Sequence, residues 1–273
     1  ETAHSIDTVV LDKTGTITQG TPVVTNMLCK EGVPQKEMLQ IAASLEKLAG
    51  LVSDREKLQV LLDHGTNRIS VNPQSLEPRV LEAIGRKHSP GDIVRAMELA
   101  TSMNFPHVNM DLIAGLPEDT PEGFRRTLDT CLQCGADNIT VHTLSLKKGS
   151  RILLEHLTIP SAEAEMLDYA NEALRAADFA PYYLYRQKYM SGSFENVGWC
   201  ISGAEGLYNI YIMEELHSIL SLGAGGSTKM VDPVHQRIER VFHTKYPTEY
   251  IQRSEKLEEN LSAFRQFHEN MRG

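Results

Sequence analysis

The feature that most constrains this chain is the alternation of helical and strand patterns over residues 55–146. Apolar residues at helix spacing mark residues 55–64, and a buried strand is predicted at residues 68–72. Further strands are predicted at residues 108–113 and 139–146, and helices at residues 78–84, 90–103 and 121–134. Strands that alternate with helices at this spacing form βαβ units around a parallel sheet. The sequence therefore predicts an α/β fold.

Charge and composition exclude several classes of protein. The 273 residues carry a formal net charge of -9, with acidic and basic residues interspersed and no basic cluster. This pattern predicts no nucleic-acid partner and no membrane-surface partner. No apolar run approaches the roughly 18 residues of a membrane-spanning helix. The composition is typical of a soluble cytoplasmic protein.

The four cysteines are too sparse for a disulfide framework or a structural zinc site. They are Cys29, Cys131, Cys134 and Cys200. Cys131 and Cys134 form a CxxC near the end of a predicted helix, whereas a redox-active pair would begin one. We interpret the two as small residues on one helix face and predict a reducing compartment. His142 has no partner at metal-ligand spacing and is interpreted as an ordinary satisfied or exposed histidine.

Polar residues follow the predicted strands at the ends where α/β folds place their chemistry. Gln74, Asp111 and Ser145 each lie at the carboxyl end of a strand, and Arg86 lies on the helix between two of them. Each residue alone is explained equally well as part of a turn. Together they are candidates for surrounding a polar ligand.

The first fifty residues have a different character. A short apolar strand at residues 6–11 leads into Asp12-Lys13-Thr14-Gly15-Thr16, which places a carboxylate at the mouth of a sheet. The segment resembles the phosphorylation motif of heavy-metal P-type ATPases, and this resemblance implies that Asp12 is an aspartyl-phosphate acceptor. No Gly-Asp-Gly-x-Asn-Asp segment follows to hold magnesium. The alternative is a strand-turn-helix fragment that is packed against the rest of the chain.

Residues 54–273 resemble another family, the oxygen-independent coproporphyrinogen III oxidases of the radical SAM superfamily, in the branch found mainly in Gram-positive bacteria. The resemblance is carried by separate blocks in the same order: residues 70–76, 84–88, 109–117, 182–188, 195–198, 206–210 and 222–226. It implies S-adenosylmethionine and a 4Fe–4S cluster as cofactors. The implied reaction is the decarboxylation of two propionates of coproporphyrinogen III to give protoporphyrinogen IX.

The same resemblance assigns roles to individual residues. It implies that Gln74, Arg86 and Asp111 hold S-adenosylmethionine, and that Ser145 lies near the adenine, contacted through its backbone. Asp suits the ribose hydroxyls, and Arg suits the methionine carboxylate as a charge-assisted pair. Tyr185 and Arg186 could face the porphyrinogen propionates, or could equally be ordinary strand residues.

The chain departs from this family in one respect that bears on activity. No CxxxCxxC triplet, which would ligate the cluster, occurs in the 273 residues. We therefore predict an incomplete (β/α) barrel with a C-terminal α+β region, preceded by the short ATPase-like fragment. The predicted domains are residues 1–50, 54–150 and 151–273. The abrupt change near residues 49–54 favours a fusion, natural or artefactual, without radical chemistry of its own; a further polypeptide that supplies the missing half is the alternative.

Overall fold

The computed structural model describes residues 55–63, 65–145, 162–186, 194–221 and 223–271. The predictions made for Asp12, for Cys29 and for the ATPase-like fragment lie outside these residues. The described residues form two compact units, the larger ending at Glu205 and the smaller beginning at Gly206. The boundary predicted at residue 150 lies outside the described residues and stays a prediction.

The larger unit contains five strands and five helices among its described residues. In chain order these are α1 (Arg55–Asp63), β1 (Arg68–Ser70), α2 (Pro78–Ala83), α3 (Pro90–Ser102), β2 (His107–Ala114), α4 (Pro121–Gln133), β3 (Asn138–Thr143), α5 (Glu163–Ala176), β4 (Ala180–Tyr185) and β5 (Asn196–Cys200). Helix α3 begins at a capping box in which Ser89 and Asp92 satisfy each other's backbone N–H groups. Gly65 follows helix α1, and its φ of +77° is the left-handed conformation that glycine adopts without strain after a helix.

The strands form one mixed sheet in the order β1-β2-β3-β5-β4. Strands β1, β2 and β3 are parallel, as the sequence predicted, with Asp111 opposite Thr140 and Ile113 opposite His142. Strand β5 joins β3 in the antiparallel sense, and β4 pairs with β5 in the same sense. Strands β4 and β5 therefore extend the sheet that the three parallel strands begin.

One face of this sheet is apolar and carries the core. Along β2, buried residues alternate with half-buried ones, and Val108, Met110, Leu112 and Ala114 all point to the same side. They belong to one hydrophobic cluster with residues of α1, α3, α4 and α5, such as Leu58, Met97, Leu128 and Met166. Because side chains alternate along a strand, the polar residues between them lie on the opposite face.

The smaller unit has a separate two-stranded antiparallel sheet. Its elements are α6 (Leu207–Met213), β6 (Ser227–Asp232), β7 (Arg237–Phe242), α7 (Pro247–Gln252) and α8 (Ser254–Asn270). The glycines before β6 form a tight turn, in which the Gly226 N–H donates to the Gly223 carbonyl at 3.1 Å. This agrees with the α+β character predicted for the C-terminal region. No helix among the described residues is long and apolar enough to cross a membrane.

Candidate ligand-binding site

The candidate site is the polar face of the five-stranded sheet. We define the polar face by six side chains, which are Asn109 and Asp111 of β2, Thr140 and His142 of β3, and Tyr183 and Tyr185 of β4. Most of them are half-buried, whereas their neighbours on the other face are buried in the core. Polar groups that are partly shielded from water and still accessible are the kind that orient a ligand.

Asp111 lies at the centre of the polar face. Its Oδ1 atom accepts a hydrogen bond from Asn109 Nδ2 at 2.9 Å, and the same oxygen lies 3.8 Å from His142 Nε2. Its backbone N–H donates to Asn72 Oδ1 at 3.2 Å. The side chain remains 24% exposed, so the carboxylate is held in place and still has lone pairs to offer.

Gln74 reaches the same site through its backbone. The Gln74 N–H donates to the Asp111 carbonyl at 3.0 Å, and the Gln74 carbonyl accepts from Ile113 N–H at 3.1 Å. Gln74 has a φ of +63°, a left-handed conformation that costs a non-glycine residue on the order of 1 kcal/mol. This strained residue continues the parallel pairing beyond β1 and fixes the backbone at Asp111. Gln74 and Asp111 are thus brought together, as the sequence predicted.

The tyrosines of β4 reach across β5 because Gly198 leaves room for them. A Cβ atom on Gly198 would lie 1.8 Å from Cε1 of Tyr183. The Tyr183 ring occupies that space, and its hydroxyl lies 3.2 Å from Thr140 Oγ1 on β3. Burial raises the pKa of the Tyr183 phenol above its usual range, so the group stays neutral. Tyr185 stacks beside it with ring centroids 6.3 Å apart.

His142 connects the two sides of the polar face. Its Nδ1 atom lies 3.4 Å from the Tyr185 hydroxyl, and its ring meets the Tyr185 ring edge-on at 6.3 Å between centroids. Its other nitrogen faces Asp111. The hydroxyl neighbour and the half-buried position agree with the interpretation of His142 as a satisfied histidine. The alternation of polar residues along β3 was the signal that could have placed it on the polar face.

The remaining predicted site residues lie apart from these contacts. Arg86 is exposed just after α2, and its guanidinium forms no hydrogen bond or ion pair with the described residues. Ser145 is half-buried just beyond the end of β3. Arg186 forms an exposed ion pair with Glu195, with its Nη2 atom 2.7 Å from Oε1. The roles given to these three residues stay predictions.

The described cysteines provide no metal site. Cys131 is buried in α4, and burial raises the pKa of its thiol well above the usual range. Burial likewise raises the pKa of Cys134 and that of Cys200, the latter to about 11. Within the part of the chain that the structure describes, no group of three or more His, Cys, Asp or Glu side chains is arranged to hold a metal. The placement of Cys131 agrees with its interpretation as a core residue.

The fold and this polar face define a class of protein. Residues 21–131 match the family model described as the Radical SAM superfamily. The structure is similar to one titled "Coproporphyrinogen III oxidase (HemN) from Escherichia coli is a Radical SAM enzyme", with a TM-score of 0.56. That similarity covers 75% of this chain and 47% of the other at 17% identity, so it concerns the fold alone. The predicted fold class, an incomplete α/β barrel of the radical SAM type, is confirmed.

Curated relatives narrow the class further. The chain is 37% identical over 204 residues to the "oxygen-independent coproporphyrinogen-III oxidase-like protein HemZ" of Bacillus subtilis, covering 73% of this chain and 41% of the relative. It is 32% identical over 152 residues to the "heme chaperone HemW" of Mycobacterium tuberculosis, covering 54% of this chain and 36% of the relative. It is 30% identical over 132 residues to the "oxygen-independent coproporphyrinogen III oxidase" of Pseudomonas aeruginosa, covering 46% and 29%.

Residues 21–131 therefore match a radical SAM domain, and the chain is homologous over part of its relatives' length to the coproporphyrinogen oxidase group. It spans less than half the length of each of these relatives. The family match begins at residue 21, inside the segment predicted to be ATPase-like, and the comparisons do not show the ATPase resemblance.

The family match implies two cofactors, S-adenosylmethionine and a 4Fe–4S cluster, and the described residues suit the first better than the second. The Asp111 carboxylate, held by Asn109 and still accessible, suits the hydroxyl groups of a nucleoside. A 4Fe–4S cluster needs several thiolates close together, and the described cysteines are buried or half-buried thiols of raised pKa. The Asp111 carboxylate therefore suits the nucleoside part of S-adenosylmethionine, and the described residues do not fit the cluster.

Proposed function

We propose that the polar face binds S-adenosylmethionine. The observation that supports this proposal is the setting of Asp111, which is anchored by Asn109, faced by His142 and held at its backbone by Gln74. An anchored carboxylate accepts hydrogen bonds from a ribose diol without first having to be ordered, which lowers the entropic cost of binding. The carboxyl ends of parallel strands are also where folds of this kind bind their ligands.

Other residues complete the proposed site. Arg86, which has no ion-pair partner among the described residues, pairs with the carboxylate of the methionine moiety. Ser145, half-buried just beyond β3, lies near the adenine and contributes mainly through its backbone. Binding is weak, because the chain contributes only part of the surface that surrounds the cofactor in a full-length relative.

The reaction we propose for the enzyme from which this chain derives is oxidative decarboxylation of coproporphyrinogen III to protoporphyrinogen IX. Tyr185 and Arg186 face the propionates in this proposal. The chemistry that a 4Fe–4S cluster would supply, if thiolates held one, is the single electron needed for reductive cleavage of S-adenosylmethionine. None of the four cysteines stands in a CxxxCxxC motif, so turnover needs thiolates from outside these 273 residues. By itself, the chain binds S-adenosylmethionine without transforming porphyrinogen.

Isothermal titration of the 273-residue chain with S-adenosylmethionine tests the binding proposal. We expect measurable binding that weakens about tenfold or more in Asp111→Asn, since a hydrogen bond to a charged group contributes roughly 1.5–3 kcal/mol. Asp168→Asn is the matched control, because Asp168 is exposed on α5, away from the polar face. It is expected to bind like the unaltered chain.

Two results would contradict the proposal. One is the absence of heat or saturation at millimolar S-adenosylmethionine. The other is equal weakening in Asp111→Asn and Asp168→Asn, which would indicate a nonspecific charge effect. Because one relative is named as a haem chaperone, hemin is titrated in parallel. Binding of hemin without S-adenosylmethionine would favour haem handling over a radical SAM origin for the site.

The phosphorylation motif at Asp12 supports a second, separate proposal. The sequence Asp12-Lys13-Thr14-Gly15-Thr16 is specific to phosphoryl-accepting ATPases, although it lies outside the described residues. Incubation with γ-labelled ATP and magnesium, followed by acid precipitation, measures acyl-phosphate formation. Label that is absent from Asp12→Asn would support this function. Equal label in both proteins would exclude Asp12 as the acceptor.

A further inference from the structure

His142 lies between two groups of the polar face that belong to different parts of the sheet. Asp111 is on the parallel strand β2, and Tyr185 is on the antiparallel edge strand β4. The distances are 3.8 Å from Nε2 to Asp111 Oδ1 and 3.4 Å from Nδ1 to the Tyr185 hydroxyl. One imidazole therefore faces both the carboxylate and the phenol.

The sheet topology makes this bridge possible. Strand β5 separates β3 from β4, and the residue it places beside Thr140 is Gly198, which has no side chain. The Tyr183 ring fills that gap, and the Tyr185 ring stacks nearly parallel to it, with 7° between the planes. The stack supports Tyr185 so that its hydroxyl extends over β5 towards His142.

The charges around His142 are few among the described residues. From β2 it is faced by Asp111, and from β4 by the phenol of Tyr185, which stacks on the ring of Tyr183. Strand β5 contributes neutral groups at this position, Asn196 and Gly198. Asp111 is therefore the single anionic neighbour that the described residues give this imidazole.

We propose that His142 is a positioning residue for the nucleoside ligand, an inference that rests on the proposed function. A neutral imidazole accepts a hydrogen bond from the Tyr185 hydroxyl at Nδ1 and presents Nε2–H towards Asp111. At 3.8 Å this second contact is too long for a hydrogen bond, so Asp111 keeps its lone pairs for the ligand. The imidazole thereby aligns the carboxylate without consuming its acceptor capacity.

Protonation reverses this effect. An imidazolium attracts the Asp111 carboxylate as an ion pair and competes with the ligand hydroxyls for the same oxygens. Protonation also adds a positive charge to the site, which disfavours binding of the positively charged sulfonium of S-adenosylmethionine. The affinity for the ligand is therefore expected to be greater with a neutral imidazole than with a protonated one.

The test measures affinity against pH between 5.5 and 8.5 by isothermal titration of the full chain with S-adenosylmethionine. In the unaltered chain we expect about fivefold weaker binding at the acidic end, since a typical hydrogen bond contributes about 1 kcal/mol. His142→Gln keeps a polar side chain but does not titrate, so it is expected to give a flat profile. Tyr185→Phe keeps the ring and removes the hydroxyl, and it is expected to weaken binding while keeping the pH dependence.

His107→Gln is the matched control. His107 pairs with Asp137 at 2.6 Å at the start of β2, on the opposite edge of the sheet from the carboxyl ends of the strands. Its substitution removes another His–Asp pair without touching the polar face. We expect the pH profile of binding in this variant to match that of the unaltered chain.

A pH profile that persists in His142→Gln would overturn the role of His142 and leave the proposed function standing. Absence of binding in the unaltered chain would overturn both.

Discussion

At the scale of single residues, the polar face depends on one glycine. A methyl group on Gly198 would overlap the Tyr183 ring, with its carbon 1.8 Å from Cε1. Gly198→Ala is therefore expected to lower the free energy of unfolding by about 3 kcal/mol, since overpacking of a rigid ring forces the backbone to shift. Urea denaturation followed by circular dichroism measures this. Gly91→Ala is the control, because a Cβ there meets the flexible end of Arg95 at 3.2 Å and Ser89 Oγ at an ordinary contact distance of 3.8 Å; a loss as large there would contradict the argument.

A second residue-scale prediction concerns Asp119, in the loop that follows β2. Its Oδ1 atom accepts from the Thr120 N–H at 2.9 Å, while Oδ2 is buried without a partner among the described residues. Burial raises the pKa of this carboxyl to about 6, despite the Thr120 hydrogen bond, and the negative charge of Glu77 adds to the rise. Because the folded state holds the proton more tightly than the unfolded state, the stabilisation is present below about pH 4 and is lost as the pH rises through about 6.

Asp119→Asn keeps the acceptor for Thr120 and cannot ionise. We expect the variant to match the unaltered chain in stability near pH 4 and to exceed it by roughly 2 kcal/mol at pH 8, within the free energy that a pKa rise of this size represents. Urea titrations at several pH values measure the difference. Asp168→Asn, exposed on α5, is expected to show no such divergence. Parallel curves for Asp119→Asn and the unaltered chain would show that Asp119 ionises freely in the fold.

At the scale of elements, the N-terminal capping box of α3 gives a local prediction. The Asp92 N–H donates to Ser89 Oγ at 3.3 Å, and the Ser89 N–H donates to Asp92 Oδ2 at 2.8 Å. Ser89→Ala removes one side of this exchange and is expected to cost about 1 kcal/mol of stability. Thr101→Ala, exposed in the last turn of the same helix, is expected to have no such cost. Thermal unfolding of both variants distinguishes loss of the cap from a general effect on the helix.

This cap also shows why some elements could be predicted from the sequence. Helix α3 was predicted at residues 90–103 and is found at Pro90–Ser102, because capping and apolar spacing are both local signals. Strand β5 had no such signal. Its residues are mostly buried, so no alternation of polar and apolar residues marks it, and its antiparallel pairing depends on distant strands. A strand in the interior of a sheet is defined by its neighbours as much as by its own sequence.

In the candidate site too, some features could be predicted from local sequence and others could not. Gln74 and Asp111 were predicted because one follows a recognisable strand and the other lies in the second half of one, and their backbones do meet at 3.0 Å. The contact between His142 and Tyr185 was not predicted, because it spans 43 residues and requires β5 to lie between β3 and β4. The sequence supplies the residue types, and the order of strands in the sheet determines which of them meet.

At the scale of the whole molecule, the state of the described cysteine thiols decides whether a 4Fe–4S cluster can assemble on the chain. Cluster assembly needs thiolates, and Cys131, Cys134 and Cys200 all have pKa values raised by burial. We expect anaerobic reconstitution with ferrous iron and sulfide to leave the 273-residue chain without a 4Fe–4S cluster, as measured by iron and sulfide content after desalting. Alkylation with iodoacetamide near pH 7.5 is expected to label these three cysteines slowly in the folded chain and rapidly in urea. Stoichiometric iron together with protection of the same cysteines even in urea would contradict this expectation, because it would mean that the chain rearranges to bring buried thiols together around a cluster.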